Sequence, residues 1–191
     1  MKKLVIALGA VALCASVSMA NIPDPANCSV TPADALDGLV VAPLSPSALA
    51  ATINTINVRN EANNPIAGAN VTVEFSGAIN LCSATVTSGT TDANGDVVIT
   101  LGGGGCAHMV ALSGVIKANG LSIRNYDNVK SPDYDGASGD LTVNLSDLVV
   151  FSAEFLGSNP AECHDYDNNG ATNLGDLVVF SPAFVNPNTC N

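Results

Sequence analysis

The stretch "DYDNNGATNLGD", Asp165 to Asp176, sets oxygen-bearing side chains at a spacing that suits one kind of chemistry. Counting Asp165 as position 1, Asp167 stands at 3, Asn169 at 5, Gly170 at 6, Asn173 at 9 and Asp176 at 12. A hard divalent cation takes six to eight oxygens, and short carboxylate and amide arms at alternate positions converge on it if the chain turns sharply at the glycine. Ala171, at position 7, offers its backbone carbonyl. The pattern predicts a calcium site built from Asp165, Asp167, Asn169, Ala171, Asn173 and Asp176.

The residues around it are written twice. "NLSDLVVFSAEF" at 144–155 returns as "NLGDLVVFSPAF" at 173–184, 29 positions later. The first copy also follows an acidic stretch, "DYDGASGDLTVNLSD", which is three residues longer than its counterpart. Aligning the ends gives Asp133, Asp135, Asp140, Asn144 and Asp147 as ligands, with Thr142 in the place of Ala171. Leu141 stands where the turn glycine belongs, so Gly136 and Gly139 are expected to make an altered turn. A solvated acidic loop is the plainer reading, but recurrence of acids at chelating spacing favours two calcium ions.

The elements that must position these loops are two helices. Leu145, Leu148, Val149 and Phe155 fall at helical spacing, echoed by Leu174, Leu177, Val178 and Phe184, and predict the faces on which the helices bury each other. Asn144 and Asn173 stand at N-cap positions. Pro182, in place of Ala153, is expected to shorten or kink the second helix.

Position 12 is aspartate rather than the glutamate of helix-loop-helix (EF-hand) calcium sensors. With one helix after each loop, the region at about 131–185 resembles dockerins, in which two such units pack as a pair. The resemblance implies docking to a cohesin-type or other protein partner through positions 10 and 11, here Leu145-Ser146 and Leu174-Gly175. Those positions often hold a Ser/Thr pair in dockerins of polysaccharide-degrading complexes, and this chain departs from that pattern.

Upstream, the chain reads differently. "MKKLVIALGAVALCASVSMA" has two lysines, a short apolar run and a small-residue site, the pattern of a secretory signal peptide over 1–20. After it, four basic residues (Arg59, Lys117, Arg124, Lys130) face 17 acids, a formal charge of −13, which argues against nucleic acid as a partner. Ten of those acids lie from Asp127 onward. That break suggests two domains, at 21–125 and 126–191.

The first of these reads as short strands between turns: "NTINVRN", "ANVTVEFSG", "TTDANGDVVITL", "HMVALSGVIK" and "LSIRN". Strands of this spacing predict an antiparallel β-sandwich of roughly seven strands. "INVRNEANNPIAGANVTVEFSG" followed by "TTDANGDVVITLGG" resembles the bacterial Ig-like repeats of invasin- and intimin-type surface proteins, over about 53–125. That resemblance implies an extracellular adhesive or structural domain. "GGGG" at 102–105 lacks a following Lys-Ser/Thr and reads as a flexible hairpin or loop.

Five cysteines follow residue 20, and exported proteins oxidise such residues. Cys82 and Cys106 flank the Asn94-Gly95 turn and pair with each other unless Cys28 replaces one of them. Cys163 and Cys190 bracket the second repeat and are expected to form a clip. Cys28 is left to pair in the sandwich or with another chain.

No nucleophile stands in a recognisable setting, and the clustered aspartates are committed to a cation, so catalysis is not expected. The leading expectation is an exported calcium-binding protein of assembly or adhesion. The alternatives are an accessory carbohydrate-binding component of a polysaccharide-degrading complex and a subunit of an extracellular fibre or surface layer. Sugar platforms need exposed aromatics; the chain has no Trp and three Tyr, Tyr126, Tyr134 and Tyr166, all outside the strand region.

Overall fold

The computed structural model describes residues 21–136 and 138–190, so the expected signal peptide lies outside the described residues. The chain is mainly β with a small helical part. Eleven short strands are described: β1 (Ser29–Thr31), β2 (Leu39–Val40), β3 (Ile53–Asn57), β4 (Asn70–Phe75), β5 (Ile79–Leu81), β6 (Ser88–Thr90), β7 (Asp96–Thr100), β8 (Gly103–Gly105), β9 (Gly114–Ala118), β10 (Leu121–Tyr126) and β11 (Val129–Lys130). The α-helices are α1 (Ala33–Leu36), α2 (Leu145–Phe155) and α3 (Leu174–Val185).

Two antiparallel sheets carry most of the strands, one in the order β1-β3-β7 and the other β10-β9-β4-β6. Alternation decides which side chains point inward. Val71 and Val73 of β4 are buried, as are Ile56 of β3, Ile99 of β7 and Ile116 of β9, and all join one apolar core. The Asn94-Gly95 turn forms as its sequence demands, with Gly95 in the left-handed region at φ 81°. Two smaller pairings complete the β unit, β5 with β8 antiparallel and β2 with β11 parallel.

Two stretches depart from expectation. "HMVALSGVIK" becomes a strand only from Gly114, because Met109 and Leu112 adopt left-handed backbone at φ 53° and 58°. Its apolar residues Met109, Val110 and Leu112 stand exposed. "GGGG" is not a flexible loop: Gly103–Gly105 form the buried strand β8 against β5.

A second core sits beneath the helices. Phe151 of α2 and Phe180 of α3 stack with ring centroids 4.5 Å apart, joined by Tyr166, Val143 and Ala183. The expected helical faces are only partly the ones used. Leu148 and Leu177 pack inward, but Leu145, Val149, Leu174 and Val178 are each about 70% exposed. Both helices are apolar nearly all round, and the inward stripe is instead Asp147-Phe151-Glu154 and Asp176-Phe180-Ala183. Pro182 does not shorten α3, which runs to twelve residues against eleven for α2.

Residues from the N-terminal segment complete this second core: Val40, Ala42 and Leu49 belong to it. The disulfides likewise join distant parts. Cys82 bonds Cys190 and Cys106 bonds Cys163, which corrects the expected Cys82–Cys106 and Cys163–Cys190 pairings. The cause is the return of the C-terminus to the β unit, where Thr189 bridges both Ser45 and Thr142 and so carries Cys190 to Cys82. Cys28 is a free thiol buried in the β core.

Candidate metal centre

Carboxylate oxygens of Asp165, Asp167 and Asp176 lie within 4.8 Å of one another. Oxygens bound to one calcium ion at 2.3–2.6 Å stand at most about 5 Å apart, so the spacing fits a common cation. The donor set is all oxygen and hard, which suits calcium or magnesium rather than a soft metal. Calcium, with its larger and more flexible coordination shell, suits a loop that adds amide and backbone oxygens to three carboxylates.

The loop is shaped by its own backbone. Asp165 takes the Asn169 N–H on Oδ1 at 3.1 Å and the Gly170 N–H on Oδ2 at 2.9 Å. Gly170 makes the sharp turn at φ 88°. Asp176 accepts from Tyr166 N at 2.6 Å and Asn173 N at 2.8 Å, so it is held from both ends of the loop. Each carboxylate oxygen bonded in this way keeps a second lone pair for a cation. Asn173 caps α3 through Gly175 N, and with Asp176 at the third helical position it completes a capping box. Its amide also reaches the Ala171 carbonyl at 3.0 Å. Asn169 holds Asp167 Oδ2 at 2.8 Å.

The first loop repeats this wiring. Asp133 accepts from Asp140 N at 3.0 Å and Leu141 N at 2.7 Å, matching Asp165 bond for bond. Thr142 N donates to Asp140 as Ala171 N does to Asn169. Asn144 and Asp147 form the second capping box. Gly136 turns left-handed at φ 98° within the lengthened stretch, and Leu141 itself takes the left-handed conformation, φ 68°, that glycine takes in the other copy. For a residue with a side chain this costs about 1–2 kcal/mol. The extra residues are absorbed between Asp135 and Asp140. Among the described residues, the three-carboxylate convergence is found in the second loop, around Asp165, Asp167 and Asp176.

Burial sets the electrostatics. It pushes Asp133 up to about 7 and Asp147 up to about 6, and it raises Asp165 and Asp176 as well. Neighbouring acids add to each shift. Carboxyls whose burial favours the protonated form exchange that proton for a cation when one binds.

Three residues that sequence reasoning passed over shape the site. Lys130 is buried and its Nζ donates to the Asp165 carbonyl. Asn168 donates to the Leu36 carbonyl at 2.7 Å. Glu154, buried in the last turn of α2, accepts from Glu162 N, His164 N and Thr172 Oγ1 at 3.0–3.1 Å and meets His164 Nδ1 at 3.1 Å. The one available signal was charge: Lys130 alone opposes the acids of the last third of the chain.

The residues at positions 10 and 11, Leu145, Ser146, Leu174 and Gly175, are all exposed on the first turns of α2 and α3. Among the described residues no helix is long and apolar enough to cross a membrane, and the two disulfides are compatible with an extracellular protein. No protein-family model matches the chain, and a search of curated proteins found no match.

Proposed function

We propose that this chain is an exported, non-catalytic calcium-binding protein of assembly, in which a dockerin-like pair of loop-helix units is carried on an Ig-like β unit. The observation that carries the reading is the convergence of Asp165, Asp167 and Asp176 in a loop whose backbone wiring recurs in the loop that precedes α2. Calcium would be held by those carboxylates with Asn169, Asn173 and the Ala171 carbonyl, and its role is structural. Free calcium at ~100 times the dissociation constant stabilises the fold by roughly 2.7 kcal/mol.

The assembly role rests on the exposed helical faces. Leu145, Val149 and Leu156 on one unit match Leu174, Val178 and Val185 on the other, all standing out to solvent. Paired apolar rows of this kind mark a protein-binding surface, and the partner is a cohesin-type or surface-assembly protein.

Calorimetric titration of calcium into the chelator-stripped, oxidised full chain tests the reading. Saturable binding with a raised thermal midpoint supports it. Absence of both overturns it.

A further inference from the structure

The second loop is tied to the β unit at three points within six residues of chain. Just before the loop, Cys163 is bonded to Cys106, which follows β8. At position 1, the Asp165 carbonyl receives the Nζ of buried Lys130 from β11. At position 4, between two ligand positions, the Asn168 amide donates to the Leu36 carbonyl at 2.7 Å and to the Asp37 carbonyl at 3.3 Å. Those carbonyls end α1, where Asp37 turns left-handed at φ 49°. Gly38 leaves the space for the amide: a methyl group there would come within 2.9 Å of Asn168 Nδ2.

The tethers converge on one small region. Lys130 pairs with Val40 and Val129 with Leu39 in the β2-β11 ladder, directly after Gly38. A loop fixed at positions −2, 1 and 4 has few alternative shapes left to lose when an ion binds. Preorganisation of that kind appears as affinity, because the ordering cost is met before the ligand arrives.

We infer that Asn168, Lys130 and the Cys106–Cys163 bridge are positioning elements for the second ion loop, so that the β unit sets its calcium affinity. This deepens the calcium reading above and rests on it. The coupling is reciprocal, as any linkage must be: calcium in the loop also steadies the joint between the ion loop and the β2-β11 ladder.

Asn168→Gly in the full chain is the decisive variant. Asn168 sits at φ 54°, where glycine is at ease, so the change removes the tether while relieving the backbone. Calcium is titrated into wild type, Asn168→Gly and the Cys106→Ser/Cys163→Ser pair, with the event that disappears in Asp167→Ala assigned to the second loop. The expected result is second-loop affinity weakened about fivefold or more in Asn168→Gly, with the chain still melting cooperatively in chelator. A larger loss is expected in the serine pair; if that variant fails to fold, Asn168→Gly alone decides. Affinity within about twofold of wild type in Asn168→Gly overturns the positioning role and leaves the ion site standing. Wild type that binds no calcium overturns both.

Discussion

The α-carbon of Gly104 faces the Asp133 carboxylate so closely that a methyl group on it would overlap the carboxylate oxygen. Gly139, from the extra residues of the first loop, lies against the backbone of Gly104 and Gly105 in the same way. Asn80 Nδ2 binds the Gly139 carbonyl at 2.8 Å, and Gly105 N binds the Asp133 carbonyl at 2.8 Å. The glycine run and the lengthened loop explain each other: β8 is stripped of side chains where the loop docks.

Gly104→Ala therefore drives a side chain into a buried carboxylate with backbone on the other side. Overpacking of this kind costs about 1–3 kcal/mol. Chemical denaturation should show the loss as a lower midpoint with an unchanged slope. A variant as stable as wild type would mean that the loop can move away from β8 at no cost.

Acidity should act on the ion-free chain in an unusual direction. Asp133 and Asp147 are raised by burial, to about 7 and about 6. Raised carboxyls contribute their stability below the unfolded value of ~4 and lose it as pH rises through the folded value. Between the unfolded value and its own folded value, about 7 for Asp133 and about 6 for Asp147, each carboxyl removes up to about 1.4 kcal/mol per pH unit. In chelator, the thermal midpoint should thus fall from pH 5 to pH 8, and calcium should restore most of it at pH 8. A midpoint that rises over this range in chelator would contradict the burial of these acids.

The local geometry of the second loop was legible in the sequence because it lies within one loop and its exiting helix. Spacing alone places Asp165, Asp167 and Asp176 together and names both N-caps. Leu141 was harder, since only the duplicated wiring forces a leucine into a conformation that favours glycine. What could not be read were contacts whose partners are far apart in the chain. Cys82 meets Cys190 across 108 residues, and Asn168 meets Leu36 across 132. Periodicity placed only part of the faces of α2 and α3: Leu148, Leu177 and Phe184 pack inward as expected, whereas Leu145, Val149, Leu174 and Val178 face outward and buried Asp147, Glu154 and Asp176 take inward positions. The strands with strict alternation, such as Val71-x-Val73, were the easiest to place.

Glu154 is a second point where the two repeats differ, since its counterpart in α3 is Ala183. It gathers the donors Glu162 N, His164 N and Thr172 Oγ1 at the base of the second loop. Although burial raises its carboxyl, hydrogen bonds and the nearby His164 ring outweigh that and leave it lowered. Glu154→Ala strands several buried donors, at about 1–3 kcal/mol for each one left unsatisfied. A thermal midpoint several degrees lower is expected, and a neutral result would show that water enters to replace the carboxylate.

Residues 126–191 taken alone should not fold. The core under the helices takes Val40, Ala42 and Leu49 from the N-terminal segment, beside Phe151 and Phe180. Asn188 spends its amide on the Pro43 and Ser47 carbonyls, at 2.7 and 2.8 Å. Both disulfides have one cysteine outside the fragment. Cutting at 126 thus exposes apolar surface, strands a buried amide and removes two cross-links, each worth on the order of 4 kcal/mol for closed loops of this length. A calcium-saturated fragment should show no cooperative thermal transition, whereas a chain beginning at Asn21 should. Within the full chain, Leu49→Ala should cost about 2–5 kcal/mol by opening a cavity in the shared core. Cooperative melting of the fragment would show that the helices and ion loops make a sufficient core of their own.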